Sequence, residues 1–207
     1  MTRIYRYILV DDVGMAPCPA GDLITLGTCK PAIRRGASKG DWVLGFRPGS
    51  LERGMLLWGG RVADVLEHGE YERRYRGRPD AVYREASDGT YRRLRPDYHA
   101  TDQQMRGDIS GPVLVFDPAV SRHLDGKAVS LPVGLAHLAP AGRGHRVSGV
   151  GAGDVEALAL WLAGLPVIRS SSGSGSGDIA SSRCSRAARN TDGDARPSHP
   201  RRARACS

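Results

Sequence analysis

The chain has 207 residues and a mass of 22.2 kDa, with 40% hydrophobic and 25% charged residues and a formal net charge of +8 at pH 7. That length suits one ordinary domain with extensions and a real core, and it excludes two full domains as the starting assumption. The charge is unevenly placed: from Arg169 onward eight arginines stand against three aspartates, which supplies five of the eight charges and leaves +3 for residues 1–168, so bulk charge gives no argument for duplex binding.

In chain order, Ile4 to Val10 is rich in β-branched and aromatic residues and predicts a strand, and Gly14 to Gly21 predicts a loop punctuated by Pro and Gly. Leu23 to Leu26 reads as a short strand. Pro31 suits a first helical turn, Ile33 and Ala37 share a face and Gly40 is a stop, so a short helix is expected from Pro31 to about Lys39. Asp41 to Phe46 follows as a strand, with Asp41 expected to tie the helix to it. After a polar loop, Met55 to Val65 predicts a strand interrupted at Gly59-Gly60, where paired glycines suggest a bulge, a bend or a close approach.

Leu66 to Tyr75 predicts a short helix with Tyr71 and Tyr75 stacked at i, i+4, followed by a polar stretch to Arg106 in which Asp88-Gly89 is a hairpin turn. Val113 to Phe116 reads as a strand, and Asp117-Pro118 as the cap and first residue of a brief helix through His123. Val129 to Leu131 and Val147 to Val150 are expected strands, with a loop at Gly142-Arg143-Gly144-His145 between them. Asp154 is the expected cap of a last helix, Val155 to about Ala163. Beyond Ile168 the Ser/Gly and then Arg-rich composition cannot bury enough apolar surface to offset chain entropy. The expected organisation is thus an α+β domain over 1–167, built as a small, mixed, partly closed β-barrel with a few short helices, and a disordered tail over 168–207.

Cys18, Cys29, Cys184 and Cys206 form no Cys-x-x-Cys pair, and the histidines and carboxylates show no ligand spacing, so neither a disulfide framework, a metal nor a cofactor is expected. No apolar run approaches the roughly 18–20 residues needed to cross a bilayer, and the reading is a soluble, cytoplasmic protein without a membrane partner.

The chemistry concentrates at the start of the first predicted helix. Lys30 and Arg34 lie one turn apart where free N–H groups and the macrodipole already supply positive potential, so each cation is disfavoured there by roughly 0.3–1 kcal/mol. A bound phosphate would reverse the sign of that term. Cys29 beside Lys30 is either a small buried hydrophobe or a nucleophile, with His145 or His99 as base and Asp108 to orient it. Trp42 and Trp58 either stack on a base or fill the core. The glycines around Arg143 could expose N–H groups to a second phosphate, and the arginine-rich tail is either a solvated end or a salt-sensitive attraction to nucleic acid.

Tyr7, Gly14-Met15-Ala16-Pro17, Thr28-Cys29-Lys30-Pro31, Ile33-Arg34, Ala37 and Gly40-Asp41-Trp42-Val43-Leu44-Gly45 together resemble the family called nucleotide modification associated domain 2. Val62, Val65-Leu66, Glu70-Tyr71, Asp108 with Ser110-Gly111, Val113-Leu114-Val115 and Gly142-Arg143-Gly144-His145 extend the resemblance over about residues 3–165. It implies an association with systems that alter DNA bases or nucleotides; more loosely, the pattern is similar to PUA-like and EVE-type barrels that hold modified bases. The resulting expectation is a module that binds a nucleotide, or nucleic acid with a modified base. Thr28, Lys30, Arg34, Arg143 and His145 are its phosphate or nucleotide contacts, and Trp42, Trp58 and Tyr71 its base contacts. The alternatives are an enzyme on a modified nucleotide using Cys29, Asp108 or His145, and a protein-interaction module; oligomeric state is left open.

Overall fold

A computed structural model describes residues 1–49, 54–140 and 145–166. In chain order the elements are β1 (Arg3–Ile8), β2 (Cys18–Ala20), β3 (Leu23–Leu26), α1 (Pro31–Gly36), β4 (Trp42–Phe46), β5 (Met55–Leu66), α2 (His68–Arg74), β6 (Tyr83–Glu85) and β7 (Tyr91–Arg93). Then come α3 (Asp102–Ile109), β8 (Val113–Phe116), β9 (Arg122–His123), β10 (Val129–Ser130), a 3-10 turn at Val133–Leu138, β11 (Arg146–Gly149) and α4 (Ala152–Gly164). The expected disordered tail lies outside the described residues. No helix among the described residues is long and apolar enough to cross a membrane.

The long strand β5 organises the sheet. β4 pairs with it from Phe46↔Leu56 to Trp42↔Arg61, while β8, β9 and β10 pair with it in succession, from Leu66↔Val113 through Gly59↔Arg122 to Ser130↔Met55. The strand order is β11-β1-β4-β5-β8-β3-β2, with β1 and β4 parallel and the other pairs antiparallel, and β6-β7 a separate hairpin. The expected α+β class therefore holds, but among the described residues the path is open from β11 to β2 and no barrel closes.

Strand alternation sorts side chains onto two faces. Tyr5, Tyr7, Val43, Leu57, Trp58 and Phe116 pack with Ile33 of α1 and with Ala37, which caps its end, on one face, while Ile4, Trp42, Leu44, Phe46 and Leu56 pack with Leu158 and Leu162 of α4 on the other. Leu56 and Trp58 reach opposite cores because the pairing slips between Gly45 and Phe46, leaving Leu57 as an extra residue.

Gly59 and Gly60 do not interrupt β5. Both keep register with β4, and a Cβ at Gly59 would sit 2.7 Å from the Leu44 side chain, one at Gly60 2.9 Å from Phe116. Close packing across the sheet is what requires glycine at both positions, and the space is filled by protein.

Asp41 does tie α1 to β4: its carboxylate accepts from Ser38 N at 2.9 Å and from Arg3 Nη2 at 2.7 Å. The helix expected after Asp117-Pro118 is instead a single turn, because the chain returns at once to pair along β5 as β9. There Arg122 donates to the carbonyls of Ala163 and Leu165, satisfying the end of α4. That last helix starts at Ala152, with Gly151 as cap and Asp154 in its first turn. The helix α3 falls in the stretch read as merely polar. Its signal was the Thr101-x-x-Gln104 capping box, with Thr101 Oγ1 accepting from Gln104 N at 3.2 Å and Gln104 Oε1 from Thr101 N at 3.1 Å.

Candidate functional site

The turn that carries the chain from β3 into α1 places Thr28, Cys29 and Lys30 against the end of α3. Cys29 and Lys30 both have left-handed backbone, with φ of 55° and 43°, a conformation disfavoured for non-glycine residues by roughly 1–2 kcal/mol each. Two bonds hold it. Cys29 N donates to Asp108 Oδ1 at 2.9 Å, and Arg34 Nε donates to the Cys29 carbonyl at 2.8 Å.

Arg34 is fully buried. Besides Cys29 O, its guanidinium donates to the carbonyls of Asp108 at 2.6 Å, Gly111 at 2.6 Å and Pro112 at 2.9 Å. The neighbouring His68 Nε2 lies 3.0 Å from the same Asp108 carbonyl, and burial, with Arg34 beside it, pushes His68 down to about 4, so the ring is neutral and donates. The positive charge expected at a phosphate is thus turned inward as a clasp on the carbonyls that follow β3 and end α3. Lys30 is half-buried, with its Nζ 5.0 Å from the centre of the Tyr7 ring and no ion pair among the described residues.

A third left-handed residue, His99 at φ 47°, completes the cluster. His99 Nδ1 lies 2.5 Å from Asp108 Oδ2, and Tyr83 OH donates to the same oxygen at 2.7 Å. Burial opposes ionisation of Asp108, but the bonds from His99, Tyr83 and the Cys29 N–H outweigh it and hold the carboxyl below its ordinary value. An ionised Asp108 only accepts, so Nδ1 carries a proton, and in the neutral imidazole Nε2 is then the acceptor. That Nε2 is 3.7 Å from Cys29 Sγ. The Tyr98 ring stacks on His99 with centroids 4.3 Å apart and 13° between planes, and Tyr98 OH bonds Thr28 Oγ1 at 2.9 Å. Thr28 is fully buried and serves as an anchor for that stack.

The structure therefore gathers Thr28, Cys29, Lys30, Arg34 and Asp108, and selects His99 rather than His145 as the histidine bonded to Asp108. His145 stands exposed just before β11, and Arg143 lies outside the described residues. Trp42 and Trp58 both fill the core, each with no exposed surface, and Trp58 Nε1 donates to Tyr7 OH at 2.9 Å. Tyr71 is also buried, bonding Asp80 Oδ1 at 2.7 Å within a polar knot that includes Thr25 and Arg78. None of these three aromatic rings has a face open to a base. Sequence reasoning missed Tyr83, Tyr98 and His68, whose roles depend on contacts between distant segments and leave no local pattern.

A model of the family described as nucleotide modification associated domain 2 matches residues 1–109, more than half of the chain. The matched span contains Cys29, Lys30, Arg34, His99 and Asp108, whereas Ser110-Gly111 and Gly142 to His145 fall beyond it. No curated protein and no solved structure matches the chain significantly.

Proposed function

Because the chain belongs to the nucleotide modification associated domain 2 family, we propose that it binds a nucleotide, free or within a strand, at the Cys29–Lys30 corner, and so recognises the unit that a modification system alters. The observation that carries this reading is Lys30: a cation without an ion pair among the described residues, held in a left-handed turn beside a partly exposed thiol and the His99 loop. A phosphate at Lys30 would draw the ammonium off the Tyr7 ring into a charge-assisted bond, which is the stronger interaction.

The base in this reading rests on Tyr91, which is half-buried in the same cluster as Cys29, Tyr83 and Tyr98, in place of the buried tryptophans. The open sheet acts in this reading as a PUA-like scaffold for the corner. Fold-level analogy supports that part alone and carries less weight than the side chains.

Equilibrium binding of a panel of normal and hypermodified nucleotides, with wild type and Lys30→Gln, tests the reading. A charge-assisted bond contributes about 1.5–3 kcal/mol, so Lys30→Gln weakens binding by roughly 10- to 100-fold while thermal unfolding stays unchanged. A folded wild type that binds no member of the panel, or a Lys30→Gln protein that binds as tightly as wild type, refutes it.

A further inference from the structure

We infer that Cys29 is a catalytic nucleophile, with His99 as its general base and Asp108 as the carboxylate that orients the base, and that the site transfers an acyl group to or from an amide or ester carried by a nucleotide. The substrate assignment rests on the nucleotide reading above; the chemistry rests on the Cys29 geometry.

The turn at Cys29 and the stretch from His99 to Asp108, separated by 70 residues of chain, bring thiol, imidazole and carboxylate together. Asp108 holds a proton of His99 on Nδ1, so in the neutral imidazole the acceptor nitrogen Nε2 lies 3.7 Å from the sulfur. The ring is held from several sides: the Tyr98 ring lies parallel to it, and Tyr83 donates to the oxygen that receives its Nδ1 proton. Tyr98 is in turn fixed through Thr28, the neighbour of the nucleophile. The main chain is held in disfavoured conformations at both the thiol and the base, an arrangement that clusters at working sites.

The bland alternative is a cysteine that fills space. Cys18 is that case: it is fully buried, and burial pushes its thiol well above the ordinary range. Cys29 differs, being partly exposed and directed at a histidine.

The step balances without a redox partner. The Sγ proton moves to His99 Nε2, the sulfur electron pair attacks the carbonyl carbon, and the carbonyl π pair moves onto oxygen. Collapse of that adduct breaks the bond to the amine or alkoxide, which leaves with the proton from Nε2, and a thioester remains on Cys29. Water or an amine then gives its proton to Nε2 as it attacks the thioester, and the sulfur leaves and recovers a proton from the imidazolium. Asp108 stays ionised throughout.

The test uses the full chain and 4-nitrophenyl acetate as the acyl donor, with intact-protein and peptide mass spectrometry. One acetyl group is expected on Cys29, absent in Cys29→Ser and formed roughly 10²- to 10⁴-fold more slowly in His99→Gln. Alkylation of Cys29 by iodoacetamide against pH supplies a readout that a merely structural histidine would not move. Its midpoint in wild type is expected below the ordinary thiol value of about 8.5, and back at that value in His99→Gln. Acetylation confined to lysines, equal rates in wild type and a folded His99→Gln, or an ordinary midpoint in wild type overturns the inference. Acylation of Cys29 in a protein that binds no nucleotide supports the chemistry and removes the nucleotide, whereas nucleotide binding beside an inert Cys29 does the reverse.

Discussion

Replacing Arg34 by Met lowers stability by about 4 kcal/mol and the unfolding midpoint by about 10 °C. The wild-type guanidinium is fully buried and donates to the carbonyls of Cys29, Asp108, Gly111 and Pro112, so its removal takes a donor from acceptors of two distant segments in one place. A buried acceptor left without a donor costs roughly 1–3 kcal/mol, and local relaxation brings the total below the simple sum. Met fills much of the volume, so the loss reads out hydrogen bonding rather than a cavity. Arg34→Lys should recover less than half of it, because an ammonium cannot reproduce the planar fork. Thermal unfolding of the three proteins decides the matter; a wild-type midpoint for Arg34→Met would show that the clasp does not hold the turn.

Asp108→Asn has the second large effect, and it separates stability from chemistry. Asp108 Oδ1 accepts the Cys29 N–H, while Oδ2 accepts from Tyr83 and His99. However the amide is turned, its NH2 meets at least one of these donors, and a loss of about 3 kcal/mol is expected. The proton on His99 is then no longer fixed at Nδ1, and acylation of Cys29 should fall by about 10³- to 10⁴-fold. The pH dependence has a definite sign. Asp108 is held below its ordinary pKa in the folded protein, so its contribution is complete above the unfolded value of about 3.9 and disappears as pH falls through the lower folded value. Wild type should therefore lose stability toward low pH more steeply than Asp108→Asn. Parallel curves in urea titrations at several acidic pH values would contradict this account of the carboxylate.

Much of the sheet was legible because its signals are local: alternation in Trp42–Phe46, the β-branched and aromatic run at the amino end, and the Asp88-Gly89 turn between Tyr83 and Tyr91. The composition of the candidate site is partly legible as well, since Cys29, Lys30, Arg34, Asp108 and His99 are reactive or charged residue types. Their roles are not. The run of cations at the start of α1 suggested an anion from outside, whereas Arg34 is neutralised by backbone oxygen that reaches it from residues 108–112. Which histidine serves Asp108 depends on how the loop before α3 folds back, and no spacing encodes that.

The tryptophans illustrate the same limit. Trp58 beside Gly59-Gly60 is open in sequence to stacking on a base, but both faces of the sheet are covered, so Leu44, Leu162 and Phe116 occupy the space that Gly59 and Gly60 leave. Trp42 and Trp58 are consequently structural, and neither ring has a face open to a ligand.

The Cys29–Lys30 corner as the ligand site is the central claim, and protection of a single thiol tests it most directly. The rate of Cys29 alkylation by iodoacetamide should be measured with increasing nucleotide, using the tightest-binding member of the panel. The account predicts that alkylation slows in proportion to occupancy, with a half-point equal to the dissociation constant and shifted to higher concentration in Lys30→Gln. Alkylation of Cys29 at an unchanged rate in protein saturated with nucleotide would place the ligand elsewhere and contradict it.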